Sequence, residues 1–480
     1  MNNVLSGYEP QPVFDYFQAI SAIPRGSGNE TEISAYLVAF AKEHGLWVHQ
    51  DEIGNVLIKK PAACGCKNQP AVAFQGHVDM VCEKNADSPH DFLHDPISLI
   101  AKDGWVRARG TTLGADNGIA VAMMMALLTD KQLRHPALEC IFTVSEEIGL
   151  EGATAFDGSL LDAKYMINLD SEAEGVATVS CCGGVRAYLS APLAYEAGKG
   201  TAVELFVHGL AGGHSGVDIS KNRANALKIM AGLLHFLRDE FSFALASMEG
   251  GNKDNAIPRE CKAVIVTETP ADTITAWVKQ YMAALPELSG DDNGLDITVS
   301  AAISAEKALS GNLTDNILTF IHEAPNGVLS RFAHDESLVE TSCNLASIST
   351  DVDEWRAVVS IRSAAKHNRD RVMMPLRALA QKTGLTLQAT GEYPGWDYEP
   401  ESYLREVMGG CYRALYGKEL KYEAIHAGLE CGIFKSKCPQ LDIIAIGPNI
   451  ADCHTPAERL DLVSCQKVWE LVVKVLDALC

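Results

Sequence analysis

Apolar positions along the chain repeat with two different spacings, and the changes between these spacings predict an α/β protein. Residues 11–23 and 29–43 carry apolar side chains at the three- and four-residue spacing of amphipathic helices. Short, mostly apolar runs at 71–75, 137–145 and 164–170 are typical of buried strands. Helices and strands that succeed one another in this way indicate an α/β fold, with a mixed sheet flanked by helices.

The patterns also divide the chain into domains. Because 480 residues exceed what one simple core usually holds, we predict two domains. One is built from residues 1–185 and 397–480, and an α+β domain at 186–396 is inserted into it. Predicted elements after residue 185 are a long amphipathic helix at 221–237, helices at 402–416, at 421–432 and from 464 onwards, and a buried strand at 441–446.

Composition and charge narrow the class of protein. Hydrophobic residues make up 47% and charged residues 21%, which is ordinary for a globular protein. No run approaches 18 apolar residues, and residues 1–10 lack a basic region followed by an apolar one, so neither a membrane span nor a signal peptide is predicted. The net charge of −22 repels phosphate backbones and favours metal ions over nucleic acid as partners. We therefore expect a cytoplasmic protein with no nucleic-acid or membrane partner.

The chain contains 14 cysteines, among them Cys64, Cys66 and the C-terminal Cys480. A disulfide scaffold is typical of short secreted chains, and this chain is long and has no predicted secretion signal. No paired CxxC motifs indicate a structural zinc site. The sequence therefore predicts free thiols, with redox or metal chemistry at Cys64-Gly-Cys66 as the alternative.

Candidate chemistry begins at the end of the predicted strand 71–75. His77 and Asp79 are two residues apart, so in extended backbone they share a face. The His77 imidazole can bind a cation while Asp79 accepts the other ring N–H and fixes the orientation of the ring. Taken alone, a His-x-Asp pair more often consists of ordinary polar residues of a loop. Whether this pair binds a metal therefore depends on the motifs further along the chain.

A glycine-rich loop at 110–118 carries Asp116 and precedes an apolar helix at 119–128. Phosphate binding is the obvious alternative for such a loop. The GxxxxGK[ST] and GxGxxG patterns are absent, however, and the Asp116 carboxylate would repel a phosphate. The loop is better explained by a metal ligand or a helix N-cap, and the methionines of the helix by core packing.

The remaining candidates also follow predicted strands. Glu146 and Glu147 follow the strand 137–145, Asp170 ends the strand at 164–170, and His454 comes after the strand 441–446. Adjacent carboxylates in a cleft raise each other's proton affinity, although a solvated loop is the alternative for Glu146 and Glu147. Ligands in open α/β sheets bind at the carboxyl ends of strands, so these residues are expected to converge.

Two imidazoles and three carboxylates suit a pair of divalent metal ions with one bridging carboxylate. Such a pair activates a shared water and stabilises the oxygens that develop during attack on an amide. Glu146 is then available as the general base. Zinc is the expected metal, and Co²⁺ or Mn²⁺ could occupy the same ligands. The predicted metal ligands are His77, Asp116, Glu147, Asp170 and His454.

Five motifs occur in the order expected of the co-catalytic di-zinc metallopeptidases, and the chain resembles that superfamily over nearly its whole length. They are Gly-His-Val-Asp, Leu-Gly-Ala-Asp-Asn-Gly, Ser-Glu-Glu-Ile-Gly, Asn-Leu-Asp-Ser-Glu and Cys-His-Thr-Pro-Ala-Glu. Longer stretches, including His-Ala-Gly-Leu-Glu-Cys-Gly, resemble the bacterial aminoacyl-histidine (Xaa-His) dipeptidases, which are carnosinase-like members.

The resemblance implies a role for each candidate. Asp116 would bridge the ions, His77 and Asp170 would complete one site, and Glu147 and His454 the other. Glu146 would be the base and Asp79 its helper. The inserted domain would act as a lid and form a homodimer. The substrate-binding residues implied are His214, which would reach the partner subunit's active site, together with Asn255, Arg362, His426 and Gly428.

The expected activity is metal-dependent hydrolysis of dipeptides, preferentially Xaa-His dipeptides such as β-alanyl-histidine. A related hydrolase, such as an aminoacylase, tripeptidase or carboxypeptidase, and a non-catalytic metal-binding relative are the alternatives. The chain departs from the superfamily pattern at Cys82, where many members have proline, and at Asn117, where many have a second aspartate. Two substrate-side assignments also have ordinary alternatives, because His214 could be a solvated loop residue and Arg362 a structural ion-pair partner.

Overall fold

A computed structural model describes residues 4–286, 288–302, 307–332 and 335–480. The chain forms two compact units. Unit 1 contains residues 1–181, 398–424 and 429–480, and unit 2 contains residues 182–397 and 425–428.

Unit 1 is built on a mixed eight-stranded sheet whose four central strands are parallel. The strands Trp47–Gln50, Val56–Lys60 and Val176–Cys181 pair antiparallel to their inner neighbours. A mixed sheet of this kind confirms the predicted α/β class. In spatial order the strands are Trp47–Gln50, Val56–Lys60, Leu138–Thr143, Val72–His77, Tyr165–Asn168, Asp442–Ala445, Val176–Cys181 and Lys421–Ile425.

The helix Ala115–Thr129 is the most deeply buried helix segment of unit 1, and its Met123, Met124 and Met125 are at most 1% exposed. The prediction that these methionines are core residues is confirmed. Gly76 allows the helix to approach the central strand, because a Cβ at that position would lie 2.7 Å from the Ala120 Cβ. The other α-helices of unit 1 are Gln11–Ile20, Thr31–Glu43, Glu151–Ala155, Tyr403–Tyr416, Glu430–Lys437 and Leu462–Ala478.

A second, four-stranded sheet in unit 1 contains an antiparallel hairpin formed by Leu99–Lys102 and Trp105–Ala108. Its strands, in spatial order, are Ile450–Ala451, Arg459–Asp461, Trp105–Ala108 and Leu99–Lys102. The segment that carries His454 is therefore the connection between two paired strands.

Unit 2 is an antiparallel nine-stranded sheet with helices packed against it, and Trp355 and Phe320 lie in its core. Two short strand pairs accompany the sheet, Tyr195–Ala197 with Lys307–Leu309 and Gly213–His214 with Ala256–Ile257. Its α-helices are Ala226–Glu240, Ala271–Ala284, Gly311–Glu323 and Lys366–Lys382. Its strands are Asp296–Ala301, Thr201–His208, Cys261–Thr267, Ala244–Gly250, Asp335–Thr350, Glu354–Ser363, Gly183–Pro192 and Thr386–Tyr393, with Gly327–Phe332 paired to Asp335–Thr350.

Two helix predictions need correction. The predicted helix at 421–432 is wrong in its first half, because Lys421–Ile425 is an edge strand of the unit 1 sheet and the helix begins at Glu430. The predicted helix at 221–237 begins later, at Ala226. There the Asn225 side chain accepts hydrogen bonds from the backbone N–H groups of Leu227 and Lys228, which caps the helix.

The prediction that all cysteines are free thiols is wrong for Cys66 and Cys480, which form a disulfide. The two residues are 414 positions apart, so no local pattern could have indicated the pairing. The C-terminal helix Leu462–Ala478 ends next to the loop of Cys66, where Gln69 Nε2 also donates to the Cys480 carbonyl at 3.1 Å. Cys64 is exposed and free.

Across the described residues, the helices are too short or too polar for any of them to traverse a lipid bilayer.

Candidate active site

The parallel central strands of unit 1 bring the predicted site residues to one edge of the sheet. His77 is the last residue of the strand Val72–His77 and lies beside Thr143 of the neighbouring strand. Glu146 follows three residues after Thr143, and Asp170 follows two residues after the strand Tyr165–Asn168 on the other side. Because parallel strands end together, the expected convergence at the carboxyl edge is found.

Asp116 lies at the centre of this group and faces an imidazole with each carboxylate oxygen. Its Oδ1 is 3.1 Å from His77 Nε2, and its Oδ2 is 3.2 Å from His454 Nε2. Asp170 Oδ1 is 3.5 Å from the same nitrogen of His77, and Glu147 Oε1 is 3.1 Å from that of His454. Two three-residue groups, each with one imidazole and two carboxylates, therefore share Asp116.

The carboxylates control the protonation of the two imidazoles. Burial alone would lower the pKa of His77, but Asp170 and Asp116 raise it well above its ordinary value. Hydrogen bonds to Asp116 and Glu147 raise the pKa of His454 to about 11. Burial opposes ionisation of Asp116, yet hydrogen bonds with both imidazoles hold its pKa below the usual range. In the protein without metal, both imidazoles therefore favour the protonated form, and the surrounding negative charge favours cations.

Asp79 connects His77 to the two adjacent glutamates. Its Oδ1 lies 3.3 Å from His77 Nδ1 and accepts the Glu146 backbone N–H at 3.0 Å. Its Oδ2 accepts the Glu147 backbone N–H at 3.3 Å and the Ser27 hydroxyl at 2.8 Å. Burial would raise the pKa of Asp79, but the bond to His77 lowers it, so the side chain stays ionised. His77 therefore presents Nε2, and not Nδ1, to the other carboxylates.

Glu146 has the electrostatic environment of a proton acceptor with a high affinity for protons. Burial raises its pKa well above the ordinary value, and the negative charges of Asp170, Glu430 and Glu147 raise it further against the opposing effect of His77. A carboxylate with such an environment binds a proton more readily than one in water. Its oxygen also lies within 4.8 Å of ligand atoms of His77 and Glu147.

Glu430 is a buried carboxyl group next to the site, and the sequence analysis did not identify it. Its Oε2 accepts hydrogen bonds from Gln75 Nε2 at 2.5 Å and from the Thr143 hydroxyl at 2.8 Å. Gln75 Oε1 in turn accepts from Asn168 Nδ2 at 2.6 Å, and Asn168 Oδ1 accepts the Asp170 backbone N–H at 3.1 Å. Burial raises the pKa of Glu430 to about 7. Its place in His-Ala-Gly-Leu-Glu-Cys-Gly was the available signal.

Glu172 and Cys453 form a further group with Asp116 that the sequence reasoning did not assign. Burial and the charge of Asp116 raise the pKa of Glu172 to about 7. Both residues adjoin predicted ligands in the chain, Glu172 two positions after Asp170 and Cys453 directly before His454. That spacing was the signal that could have identified them.

The residues predicted to bind substrate lie in unit 2, and several of them are close to one another there. His214 Nδ1 accepts the backbone N–H groups of Gly216 and Val217 at 3.2 and 3.1 Å, so a neutral His214 carries its proton on Nε2. The loop packs on the segment of His426, because a Cβ on Gly216 would overlap the His426 carbonyl oxygen. Asn255 is exposed, and its carbonyl accepts the Ser215 backbone N–H at 2.8 Å.

His426 and Arg362 are neighbours within unit 2. Burial, followed by the charge of Arg362, lowers the pKa of His426 to about 4, and its Nε2 lies 2.7 Å from the Ser342 hydroxyl. Arg362 Nη1 donates to the Tyr393 hydroxyl at 3.0 Å. The Tyr393 ring leaves no room for a side chain at Gly428, because a Cβ there would lie 2.7 Å from the ring. Unit 2 thus presents a positive charge beside a neutral imidazole.

An α/β sheet that gathers two imidazoles and several carboxylates at one edge is the arrangement that metal-dependent hydrolases use. Comparison with known proteins agrees with this class. The profile of Peptidase family M20/M25/M40 matches residues 73–478, and the chain belongs to this family. The chain is accordingly a hydrolase of the peptidase type.

Individual relatives share nearly the whole length of the chain. The chain is 36% identical over 476 residues to the cytosol non-specific dipeptidase of Escherichia coli (strain K12), covering 98% of each chain. The crystal structure of aminoacylhistidine dipeptidase from Vibrio alginolyticus matches with a TM-score of 0.88 and 33% identity, covering 99% of this chain and 98% of that one. An aminopeptidase from Bacillus cereus shares the fold, with a TM-score of 0.58, 17% identity and coverage of 98% and 99%.

Proposed function

We propose that this protein hydrolyses dipeptides by means of two divalent metal ions held at the edge of the unit 1 sheet. The observation that carries the proposal is Asp116, whose two oxygens face His77 and His454 separately. A carboxylate in that position can bridge two ions. The 36% identical relative that is named a dipeptidase supports the substrate class.

The donor set fits zinc. His77, Asp116 and Asp170 would hold one ion, and Asp116, Glu147 and His454 the other, each through one imidazole nitrogen and two carboxylates. Co²⁺ and Mn²⁺ accept similar ligands, so the metal content of the purified protein decides among them. When bound, the ions would supply an acidified water and polarise the scissile carbonyl.

Glu146 would act as the general base. Its raised proton affinity suits a group that accepts a proton from the attacking water and then donates it to the leaving nitrogen. Asp79 would keep the His77 ring oriented, because it accepts from Nδ1 and leaves Nε2 toward the ligand group. Burial of both carboxylates in unit 1 supports this division of roles.

Unit 2 would provide substrate recognition. Arg362 and Asn255 would bind the dipeptide carboxylate, and His214, with its donor on Nε2, would stabilise the developing oxyanion in a partner subunit. His426 and Gly428 would line the pocket for the C-terminal residue. The predicted domain at 186–396 would act as lid and dimerisation domain, and the relatives' names support a preference for Xaa-His dipeptides and a cytosolic location.

Activity of metal-stripped protein should return with two equivalents of Zn²⁺, measured on β-alanyl-histidine, other Xaa-His dipeptides, dipeptides without histidine and N-acyl amino acids. Hydrolysis of N-acyl amino acids in preference to dipeptides would favour an aminoacylase instead. Glu146→Gln should retain both metal ions and lose about 100- to 10,000-fold in kcat. Light scattering in solution tests the homodimer, and a monomeric enzyme with full activity would contradict the proposed role of His214.

A further inference from the structure

Glu458 ends the motif Cys-His-Thr-Pro-Ala-Glu, is 2% exposed and accepts four consecutive backbone N–H groups. Its Oε2 accepts from Leu113 and Gly114 at 2.7 and 2.9 Å. Its Oε1 accepts from Ala115 and Asp116 at 2.8 and 3.3 Å. A single carboxylate therefore holds the whole backbone turn from which the Asp116 side chain projects.

The fully buried Arg25 side chain also binds the backbone of this turn. Its Nη2 donates to the Gly114 carbonyl at 2.5 Å and its Nη1 to the Val78 carbonyl at 2.9 Å. A Cβ on Gly114 or Gly118 would lie 2.6 or 2.5 Å from Arg25 Nη2, so the turn is closely packed. The cation also compensates the buried charge of Glu458.

We propose that Glu458 is a positioning residue that sets the direction of the Asp116 carboxylate between the two metal sites. The inference rests on the proposed metal pair. A bridging ligand must present its two oxygens to two ions at once, which demands a fixed backbone direction. The four hydrogen bonds from Glu458 fix that direction, and they connect the turn to the segment that supplies His454.

The geometry makes glutamine a damaging substitute for Glu458. A carboxylate offers two acceptor oxygens, and each of them here receives two N–H groups. A glutamine side chain has one acceptor and one NH₂ donor, so in either orientation two backbone donors would face a donor. Glu458→Gln should therefore turn the Asp116 segment, whereas Glu458→Asp keeps two acceptors and the charge on a shorter side chain.

Glu139 provides a matched control because it is also 2% exposed and binds backbone N–H groups of the same unit. It accepts from Asp162 and Ala163 at 3.0–3.2 Å and pairs with Lys59 at 2.7 Å. Glu139 lies near the beginning of the strand Leu138–Thr143, at the end of the sheet opposite to the metal ligands. Glu139→Gln should destabilise the fold and leave the metal sites unchanged.

The experiment measures Zn²⁺ and Co²⁺ binding to metal-free wild type, Glu458→Gln, Glu458→Asp and Glu139→Gln, by competition with a chromogenic chelator. We expect Glu458→Gln to weaken binding by about 10- to 100-fold, as for other groups that orient metal ligands, and Glu458→Asp by less. The visible absorption of the Co²⁺ protein should change in both Glu458 variants. Glu139→Gln should match wild type in affinity and spectrum while its Tm falls.

Unchanged affinity and Co²⁺ absorption in Glu458→Gln would overturn the inference, as would an equal loss of affinity in Glu139→Gln. If Glu458→Gln does not fold, Glu458→Asp decides, because wild-type affinity in that variant also overturns it. Wild type that binds no metal would instead contradict the proposed function itself. The two failures are therefore distinguishable in the same titration.

Discussion

The buried Glu430 carboxyl group should make the stability of metal-free protein depend on pH in a predictable direction. Burial raises its pKa from the ordinary 4.5 to about 7 in the folded chain. Between these values the folded protein retains a proton that the unfolded chain releases, so the free energy of unfolding falls as the pH rises. This loss of unfolding free energy is absent below pH 4.5. It is complete above pH 7, where it amounts to about 3 kcal/mol.

Glu430→Gln isolates this contribution, because it places an amide where the protonated acid would be. Its carbonyl oxygen can still accept from Gln75 and Thr143. The NH₂ group then takes the place of Oε1, a buried atom for which the described residues provide no hydrogen-bond partner. The variant should therefore fold, and any constant cost of the amide appears equally at every pH.

Urea unfolding of metal-free wild type and Glu430→Gln between pH 4.5 and 8 provides the measurement. The difference in unfolding free energy should change by about 3 kcal/mol in favour of the variant between pH 4.5 and 7 and stay level above that. Substitution of an exposed carboxylate, for example Asp87→Asn, should give a difference without this slope. A level difference across the whole range for Glu430→Gln would refute the reasoning.

The proposed metal site and the disulfide each give a further prediction. Because neighbouring carboxylates raise the pKa of His454 to about 11 and that of His77 well above its ordinary value, binding of metal ions at pH 8 should release protons, which calorimetry in buffers of different ionisation enthalpy detects. Release of no protons would contradict the assignment. The Cys66–Cys480 disulfide links residues 414 positions apart, so Cys66→Ser should lower the free energy of unfolding by about 2–5 kcal/mol. The control Cys64→Ser, which removes a free thiol, should not lower it. In a reducing agent, wild type and Cys66→Ser should unfold with equal free energies.

The sequence alone could predict the strands that carry the site, because their apolar runs end directly at polar residues. His77 and Asp170 were placed at strand ends by this reasoning, and the parallel register of those strands brings them together. It could not show which oxygen of Asp116 faces which imidazole, because that depends on two segments more than 300 residues apart.

The contacts made by the buried carboxyl groups of Glu458 and Glu430 could not be predicted from the sequence. Glu458 and Glu430 both lie in motifs that the resemblance identifies, but their partners are N–H groups and side chains that only the folded chain brings to them. The strand Lys421–Ile425 was mistaken for a helix because an edge strand with exposed polar residues lacks the apolar run of a central strand. The disulfide could not be predicted either, because its two cysteines are 414 residues apart in the sequence.

The order of segments in unit 1 has a consequence for biosynthesis. The strand Asp442–Ala445 is an interior member of the sheet, and His454 and Glu458 come after it in the chain. A ribosome therefore makes His454 and the carboxylate that holds the Asp116 turn only after all the other proposed metal ligands have been made. On the proposed assignment, capture of both metal ions has to wait until these residues have been synthesised, and a nascent chain that stalls before residue 442 would carry only part of the proposed ligand set.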